Sequence, residues 1–221
     1  MSVRLAVFDC DGTLADGQAA ICDAMAVGFA EAGLAPPDPH QVRRIVGLSL
    51  PSAIARLAPD QPPEAHGRVV EAYKQAFFRT REGGWLQEPL YEGIADLLAR
   101  LQRAGWALGV ATGKSDRGLR ACLATHGVLD LFATLQTADR SPSKPHPAML
   151  EAAMAETGAR PADTVMIGDT VYDIEMARAA GCRAIGVAWG YHDSAELLAA
   201  GAEAVVETPA QLGEMLDAGT G

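Results

Sequence analysis

The sequence predicts an α/β protein in which a parallel sheet is interrupted, after its first strand, by an inserted helical segment. Three observations support this fold class. Strand and helix patterns alternate from residue 93 to the end of the chain, which is typical of a parallel sheet. The chain opens on a short apolar strand at residues 3–8 that can be buried only in the same sheet. Between these parts, residues 16–84 show helical periodicity and no strand signal.

Composition and charge narrow the classes of function. The 221 residues are 49% hydrophobic and 21% charged, an ordinary balance for a folded chain of one large or two modest domains. The formal net charge of −10 argues against nucleic acid and anionic membranes as partners, because both repel an acidic surface. A small anionic ligand stays possible, since its site needs only local positive charge.

Other features of the sequence indicate a cytoplasmic location. No stretch approaches the roughly 20 apolar residues of a membrane-spanning helix, and no signal sequence precedes the opening strand. The cysteines are far apart and form no CxxC pair, as expected of reduced core residues; they are Cys10, Cys22, Cys122 and Cys182.

The inserted segment contains four predicted helices. In the first, apolar residues recur at four-residue spacing, and we expect Asp16 to cap this helix and Gly33 to end it. Two short helices follow at residues 42–46 and 51–57. A longer helix carries an apolar face over residues 69–78, and glycines end it.

The rest of the chain alternates between helices and short strands. Apolar faces predict helices at residues 93–104, around 119–123, and at 148–157, 171–180, 195–200 and 209–216, with Ser194 as a cap. Short apolar runs predict strands at residues 106–111, 133–136, 164–167, 184–187 and 204–206. The inserted helices therefore predict two domains, a core of residues 1–15 and 85–221 and a helical domain of residues 16–84. Two neighbouring connections between them suit a hinged lid.

Polar side chains follow four of the predicted strands. Asp9 and Asp11 follow the first, Thr112 the second, Lys144 the third and Asp169 the fourth. Taken singly, each has an ordinary explanation as a turn residue, a helix cap or a surface charge. Because the carboxyl ends of parallel strands meet at one edge of the sheet, we expect all five side chains to share one crevice.

These side chains suit a phosphate monoester held together with a magnesium ion. Two carboxylates about 4 Å apart, such as those of Asp9 and Asp169, repel by roughly 4 kcal/mol at an effective dielectric constant of 20. A cation or a shared proton has to relieve this repulsion. Carboxylate oxygens suit Mg²⁺, and Mg²⁺ with Lys144 nearly balances two carboxylates and a phosphate dianion.

The residues also supply the groups needed for phosphate-ester chemistry. Asp9 can attack phosphorus and form an aspartyl-phosphate, while Asp11 protonates the leaving oxygen and later activates water. The Thr112 hydroxyl and neighbouring backbone N–H groups, including that of Gly113, can hold the phosphoryl oxygens.

The ordered motifs resemble those of the haloacid dehalogenase (HAD) superfamily. They are Asp9-Cys10-Asp11-Gly12-Thr13-Leu14, Thr112, Lys144 and Gly168-Asp169-Thr170-Val171-Tyr172-Asp173, and the resemblance covers the whole chain. It implies a Rossmann-like core, with residues 16–84 as the small α-helical cap domain of subfamily I. Residues 143–147 and 188–191 further resemble the phosphoglycolate phosphatase-like branch.

The resemblance implies a role for each motif residue. The nucleophile falls on Asp9 and the general acid/base on Asp11, whose backbone carbonyl would bind Mg²⁺ along with the carboxylates of Asp9 and Asp169. Thr112 and Lys144 would bind phosphate. Dehalogenases of this superfamily lack the acid at the position of Asp11, so the resemblance favours phosphate-ester hydrolysis.

Four further residues are candidates for the site. Asp173 would support the waters of the metal or orient the phosphate-binding lysine. Arg43 and Gly47 lie where the family places substrate-selecting residues, although an ordinary solvated helix face accounts for them as well. Lys114 either assists the phosphate or is a surface charge.

Together these features predict a Mg²⁺-dependent phosphatase that hydrolyses small phosphate monoesters, phosphoglycolate among them, through an aspartyl-phosphate. Three alternatives would use the same core: a phosphomutase, an inorganic pyrophosphatase and a non-catalytic phosphate sensor. The expected partner is a small phosphorylated metabolite, and the sequence does not indicate the oligomeric state.

Overall fold

The computed structural model describes residues 2–218, and within them it contains six strands and ten α-helices. The strands are β1 (Leu5–Phe8), β2 (Ala107–Thr112), β3 (Thr134–Thr137), β4 (Thr164–Gly168), β5 (Arg183–Val187) and β6 (Ala204–Val206). The helices are α1 (Gln18–Glu31), α2 (Pro39–Ile45), α3 (Leu50–Leu57), α4 (Pro63–Glu82), α5 (Ile94–Arg103), α6 (Asp116–Thr125), α7 (Ala148–Thr157), α8 (Val171–Ala179), α9 (Ser194–Ala200) and α10 (Pro209–Ala218).

The strands form one parallel sheet in the order β3-β2-β1-β4-β5-β6. This confirms the predicted α/β fold with a parallel sheet. The opening strand lies in the middle, where Phe8 pairs with Val110 on one side and Ile167 on the other. The residues that follow β1, β2 and β4 therefore emerge at the same edge of the sheet.

Both faces of the sheet are buried, as near-continuous apolar strands require. Side chains alternate along β1, so Phe8 joins a core cluster on one face and Val7 a separate cluster on the other. The Phe8 face also packs residues of α5, α6 and α10, and the Val7 face packs residues of α7 and α8.

Helices α1–α4 lie between β1 and the rest of the chain and have an apolar cluster of their own. Met25, Phe29, Ile54 and Val69 belong to this cluster. The two connections to the sheet run side by side, because the Asp16 N–H donates to the Pro89 carbonyl at 2.8 Å. Among the described residues, no helix is both long and apolar enough to cross a membrane.

Two predicted helix caps are wrong by one residue. Gly17, not Asp16, is the N-cap of α1; the Asp16 carboxylate still accepts a hydrogen bond from the Gln18 N–H at 3.2 Å. Asp193, not Ser194, caps α9, and it forms a capping box with Glu196. Reciprocal hydrogen bonds of this kind satisfy two free N–H groups at once, which a single Ser cap does not.

Candidate active site

The edge of the sheet brings together the polar residues predicted from the strand ends. Asp9 follows β1, Thr112 ends β2, Lys144 lies between β3 and α7, and Asp169 follows β4. All four are almost fully removed from solvent, and the relative exposure of Lys144 is only 2%. Buried charges of this kind need partners, because desolvation of an unpaired charge is costly.

Lys144 has two such partners. Its ammonium nitrogen lies 3.0 Å from Asp9 Oδ1 and 2.6 Å from Asp173 Oδ1. Burial alone would lower the pKa of Lys144, but the carboxylates of Asp173 and Asp9 outweigh it and raise that pKa. Asp173 is itself held by Thr170, whose N–H and hydroxyl both donate to Asp173 Oδ2. The first turn of α8 thus fixes the lysine.

Three carboxylates converge at this point. Asp9, Asp169 and Asp173 each offer an oxygen, and these oxygens lie within 4.8 Å of one another. Asp169 accepts hydrogen bonds from the Thr13 hydroxyl at 2.8 Å and the Tyr191 N–H at 3.0 Å. Asp9 Oδ2, in contrast, is buried and has no hydrogen-bond partner among the described residues.

The electrostatics of the cluster reflect this crowding. Burial, with the charge of Asp173 and Asp11, raises the pKa of Asp9 to about 7 despite the opposing effect of Lys144. Burial and the charge of Asp9 raise the pKa of Asp169 well above its usual range. Three carboxylates this close together, one of them Asp9 with an oxygen that accepts no hydrogen bond, are compatible with binding of a divalent metal ion.

Asp11 lies in a second group of charges beside the first. Lys114 Nζ is 2.7 Å from Asp11 Oδ1 and 2.6 Å from Glu88 Oε1, and the three side chains are at most 10% exposed. Burial opposes the charge of Lys114, yet Asp11, Cys10 and Glu88 raise its pKa. The interpretation of Lys114 as a surface charge is therefore wrong.

The loop between α2 and α3 closes over the phosphate-binding candidates. A Cβ atom added at Gly113 would overlap the carbonyl oxygen of Leu48 and lie 2.8 Å from that of Gly47. Gly47 has a φ of +96°, and a Cβ there would lie 3.7 Å from Asp9 Oδ2. The predicted candidate Gly47 is thus brought to the site, where only glycine allows so close an approach of the backbone.

Arg43 is not brought to the site in the same way. It is partly exposed and is not among the residues that line the cavity described below. The neighbouring Arg44 instead forms a two-pronged ion pair with Glu196, with both N–O distances 2.7 Å. The Arg44 carbonyl accepts hydrogen bonds from the Tyr172 hydroxyl and from His192 Nε2. These contacts join α2 to α8 and α9.

A cavity of about 690 Å³ extends from this edge of the sheet toward α1 and α4. Asp11, Thr112, Gly113 and Lys114 line its inner end. This volume lies in the range of ordinary small-molecule sites. The sheet edge therefore places carboxylates, a threonine hydroxyl and lysines beside a cavity large enough for a small molecule.

Sequence reasoning missed two residues of the site. Glu88 gives no sequence signal, because its partner Lys114 lies 26 positions further along the chain. Tyr191 donates a backbone N–H to Asp169, a contact that any residue type could make. Thr13 had a signal, since it belongs to the first motif and binds the carboxylate of Asp169.

Comparisons with known proteins agree with this geometry. The family described as "Haloacid dehalogenase-like hydrolase" matches residues 6–187. "Probable phosphatase IndB" of Dickeya dadantii is 35% identical over 92% of this chain and 89% of its own. A phosphoglycolate phosphatase of Chromobacterium violaceum is 31% identical over 98% of both chains.

The crystal structure of a predicted phosphatase from Clostridium acetobutylicum superposes with a TM-score of 0.87 over 99% of this chain and 100% of that one; at 24% identity it supports the fold alone. The chain belongs to the haloacid dehalogenase-like hydrolase family.

Proposed function

We propose that the protein is a Mg²⁺-dependent phosphatase that hydrolyses phosphate monoesters through an aspartyl-phosphate. The observation that carries this proposal is the buried carboxylate of Asp9. One of its oxygens lies 3.0 Å from Lys144, and the other has no partner within the described part of the chain. A free oxygen beside a cation is available to a phosphoryl group, which needs both a nucleophile and positive charge.

The proposed reaction has two steps. In the first, an Asp9 oxygen bonds to phosphorus, the bond from phosphorus to the ester oxygen breaks, and the Asp11 carboxyl gives its proton to that oxygen. In the second, Asp11 removes a proton from water as the water attacks phosphorus, which releases inorganic phosphate and frees Asp9. Lys144, the Thr112 hydroxyl and the Gly113 N–H would hold the phosphoryl oxygens.

Charge supports Mg²⁺ as the cofactor. The carboxylates of Asp9, Asp169 and Asp173 with the ammonium of Lys144 carry a net charge of −2 when all are ionised. We propose that Asp9, Asp169 and the Asp11 carbonyl hold the ion and that Asp173 keeps Lys144 in place at 2.6 Å. When bound, Mg²⁺ would neutralise this charge and stabilise the charge of the phosphoryl group.

The names of the relatives favour hydrolysis over the three alternatives. The two relatives in the comparison above are both named as phosphatases. Neither name indicates a phosphomutase, an inorganic pyrophosphatase or a phosphate sensor. Phosphoglycolate itself is a candidate substrate on the strength of one relative's name, and the cap role of helices α1–α4 remains part of the proposal.

Phosphate release tests the proposal directly. Purified protein with Mg²⁺ should release phosphate from 4-nitrophenyl phosphate, and Asp9→Asn should abolish this release because an amide is a poor nucleophile. Asp23→Asn, the same change at an exposed position of α1, serves as the control and should keep full activity. Wild-type turnover in the Asp9→Asn variant would show that the mechanism is wrong.

A further inference from the structure

The outer wall of the cavity is apolar where it faces Asp11. The side chains that α1, α4 and the loop after α2 contribute to this wall include Ile21, Met25, Leu48, Tyr73, Phe77 and Phe78. Apolar lining with a few polar groups at one end is typical of sites that bury most of a ligand. The polar end is the sheet edge, so the apolar wall faces the leaving group of the proposed substrate.

Three aromatic rings on α4 form the central part of this wall. The ring centroids of Tyr73 and Phe77 are 5.5 Å apart, and the Lys114 ammonium lies 5.7 Å from the Phe77 ring. At the mouth, the Arg117 guanidinium lies 4.5 Å over Phe78, which is 40% exposed. Rings in such positions offer faces and edges against which another flat group can pack.

The charges near Asp11 do not suit a second carboxylate on the substrate. Lys114 already contacts the carboxylates of Asp11 and Glu88, and Arg81 lies 3.7 Å from Glu88. Lys114, the cation beside Asp11, is thus already paired with two carboxylates and would offer little to the carboxylate of a two-carbon acid such as phosphoglycolate. Arg117, which also lines the cavity, packs on the Phe78 ring instead. Desolvation of the substrate carboxylate would then be poorly compensated.

The size of the cavity leads to the same conclusion. Phosphoglycolate has about nine non-hydrogen atoms and occupies at most roughly 270 Å³, even if each takes the volume of about 30 Å³ that one water molecule has in the liquid. The cavity of about 690 Å³ is more than twice as large. A small substrate would leave most of the apolar wall in contact with water.

We propose that the preferred substrate is a phosphate monoester whose alcohol part carries an aromatic or similarly flat apolar group, packed against Tyr73 and Phe77. This inference rests on the proposed phosphatase function and specifies the substrate class of the same site. Burial of such a group lowers the free energy of the bound state without using the paired cations.

Three alkyl phosphates with similar leaving-group chemistry test the inference: phosphoglycolate, glucose 6-phosphate and 2-phenylethyl phosphate. We expect kcat/KM with Mg²⁺ to be at least about 10-fold higher for 2-phenylethyl phosphate than for the other two. Phe77→Ala should lower this ratio by about 10-fold. The ratio is measured within one preparation, so loss of folded protein in the variant cancels.

Each outcome separates the two proposals. A preference for phosphoglycolate or glucose 6-phosphate, or an unchanged ratio in Phe77→Ala, overturns the substrate class and leaves the phosphatase function standing. If the protein hydrolyses none of the three, and 4-nitrophenyl phosphate is not hydrolysed either, the phosphatase function itself is overturned.

A different observation, the buried ion pairs of Lys114, supports a second inference. Lys114 links Asp11 to Glu88, and Glu88 precedes Pro89, whose carbonyl accepts the Asp16 N–H. Lys114 therefore joins the proposed proton carrier to both connections between the helical segment and the sheet. A Cβ at Gly17 would lie 2.6 Å from Asp11 Oδ1, the oxygen that Lys114 contacts, so the carboxylate has little room to turn.

We infer that Lys114 is a positioning residue that holds the Asp11 carboxyl toward the leaving oxygen. Proton donation depends on placement within hydrogen-bond reach of that oxygen. An alkoxide leaving group needs the proton, whereas 4-nitrophenolate is a weak base and leaves almost without it. This inference also rests on the proposed phosphatase function.

The leaving-group dependence of Lys114→Met tests this role. We expect kcat/KM, which reports on the first step alone, to fall by about 100-fold for 2-phenylethyl phosphate and by less than about 3-fold for 4-nitrophenyl phosphate. The second step uses Asp11 with both substrates and does not enter this ratio. Arg183→Met removes one positive charge from an exposed pair with Glu203, outside the cavity, and is the control; both values should stay near those of the wild type. Equal losses for the two substrates in Lys114→Met overturn the positioning role, and inactivity of the wild type toward both overturns the phosphatase function instead.

Discussion

Asp9, Asp169 and Asp173 hold three carboxylate oxygens within 4.8 Å of one another, and the Lys144 ammonium contacts two of these side chains, Asp9 and Asp173. All four side chains are buried, so water screens their charges poorly. Raised pKa values of Asp9 and Asp169 are the physical consequence, because burial and mutual repulsion both favour the neutral acids. A divalent cation bound by these carboxylates would reduce both the cost of their burial as charged groups and their mutual repulsion.

Metal binding should therefore stabilise the folded protein measurably. At free Mg²⁺ about 100 times the dissociation constant, the stabilisation is about 2.7 kcal/mol, or roughly 5–11 °C in Tm for a chain of this size. Asp169→Asn should largely remove this increase, while Asp23→Asn, an exposed control, should keep it. Thermal unfolding at constant pH and ionic strength measures the effect. An increase of the same size in Asp169→Asn would rule out Asp169 as a ligand.

At the scale of elements, the strands and the residues after them were predictable from sequence. The length of each apolar run and the spacing of its apolar residues identify the short strands. A parallel sheet then brings the carboxyl ends of these strands to one edge, whatever the details of side-chain packing. Asp9, Thr112 and Asp169 therefore reach their positions by topology alone. Lys144 was predicted on the same basis, although it comes from a loop.

Contacts that depend on packing between distant elements were not predictable. The partner of Lys114 is Glu88, and nothing in the local pattern of either residue indicates the other. The same holds for Arg44, which meets Glu196 across 152 positions of the chain. Arg43, its neighbour, has the same residue type and nearly the same sequence context. The placement of α2 and α9 in the fold, not the local sequence, brings Arg44 rather than Arg43 to Glu196.

At the scale of the whole molecule, the inserted helices close against the sheet through a few contacts around the site. The Ser49 N–H donates to the Ser143 hydroxyl at 2.8 Å, and the Arg56 guanidinium donates to the Tyr172 hydroxyl at 2.9 Å. Arg44 and Glu196 add the ion pair described above. Between these contacts, the backbone at Gly47 lies directly against Gly113. The closed arrangement thus depends on the absence of a side chain at Gly113.

Gly113→Ala should hold the helical segment away from the sheet edge. The new methyl group would overlap the Leu48 carbonyl, and backbone cannot move aside as a flexible side chain does. A displacement of about 1 Å at a reacting centre can cost about 100-fold, so we expect kcat/KM to fall by about that factor. Gly67→Ala adds the same methyl group on α4 with no atom within 4 Å and is the control. Steady-state kinetics with 4-nitrophenyl phosphate, beside thermal unfolding to show that both variants fold, measures the effect. Full activity in Gly113→Ala would mean that catalysis does not require this close approach.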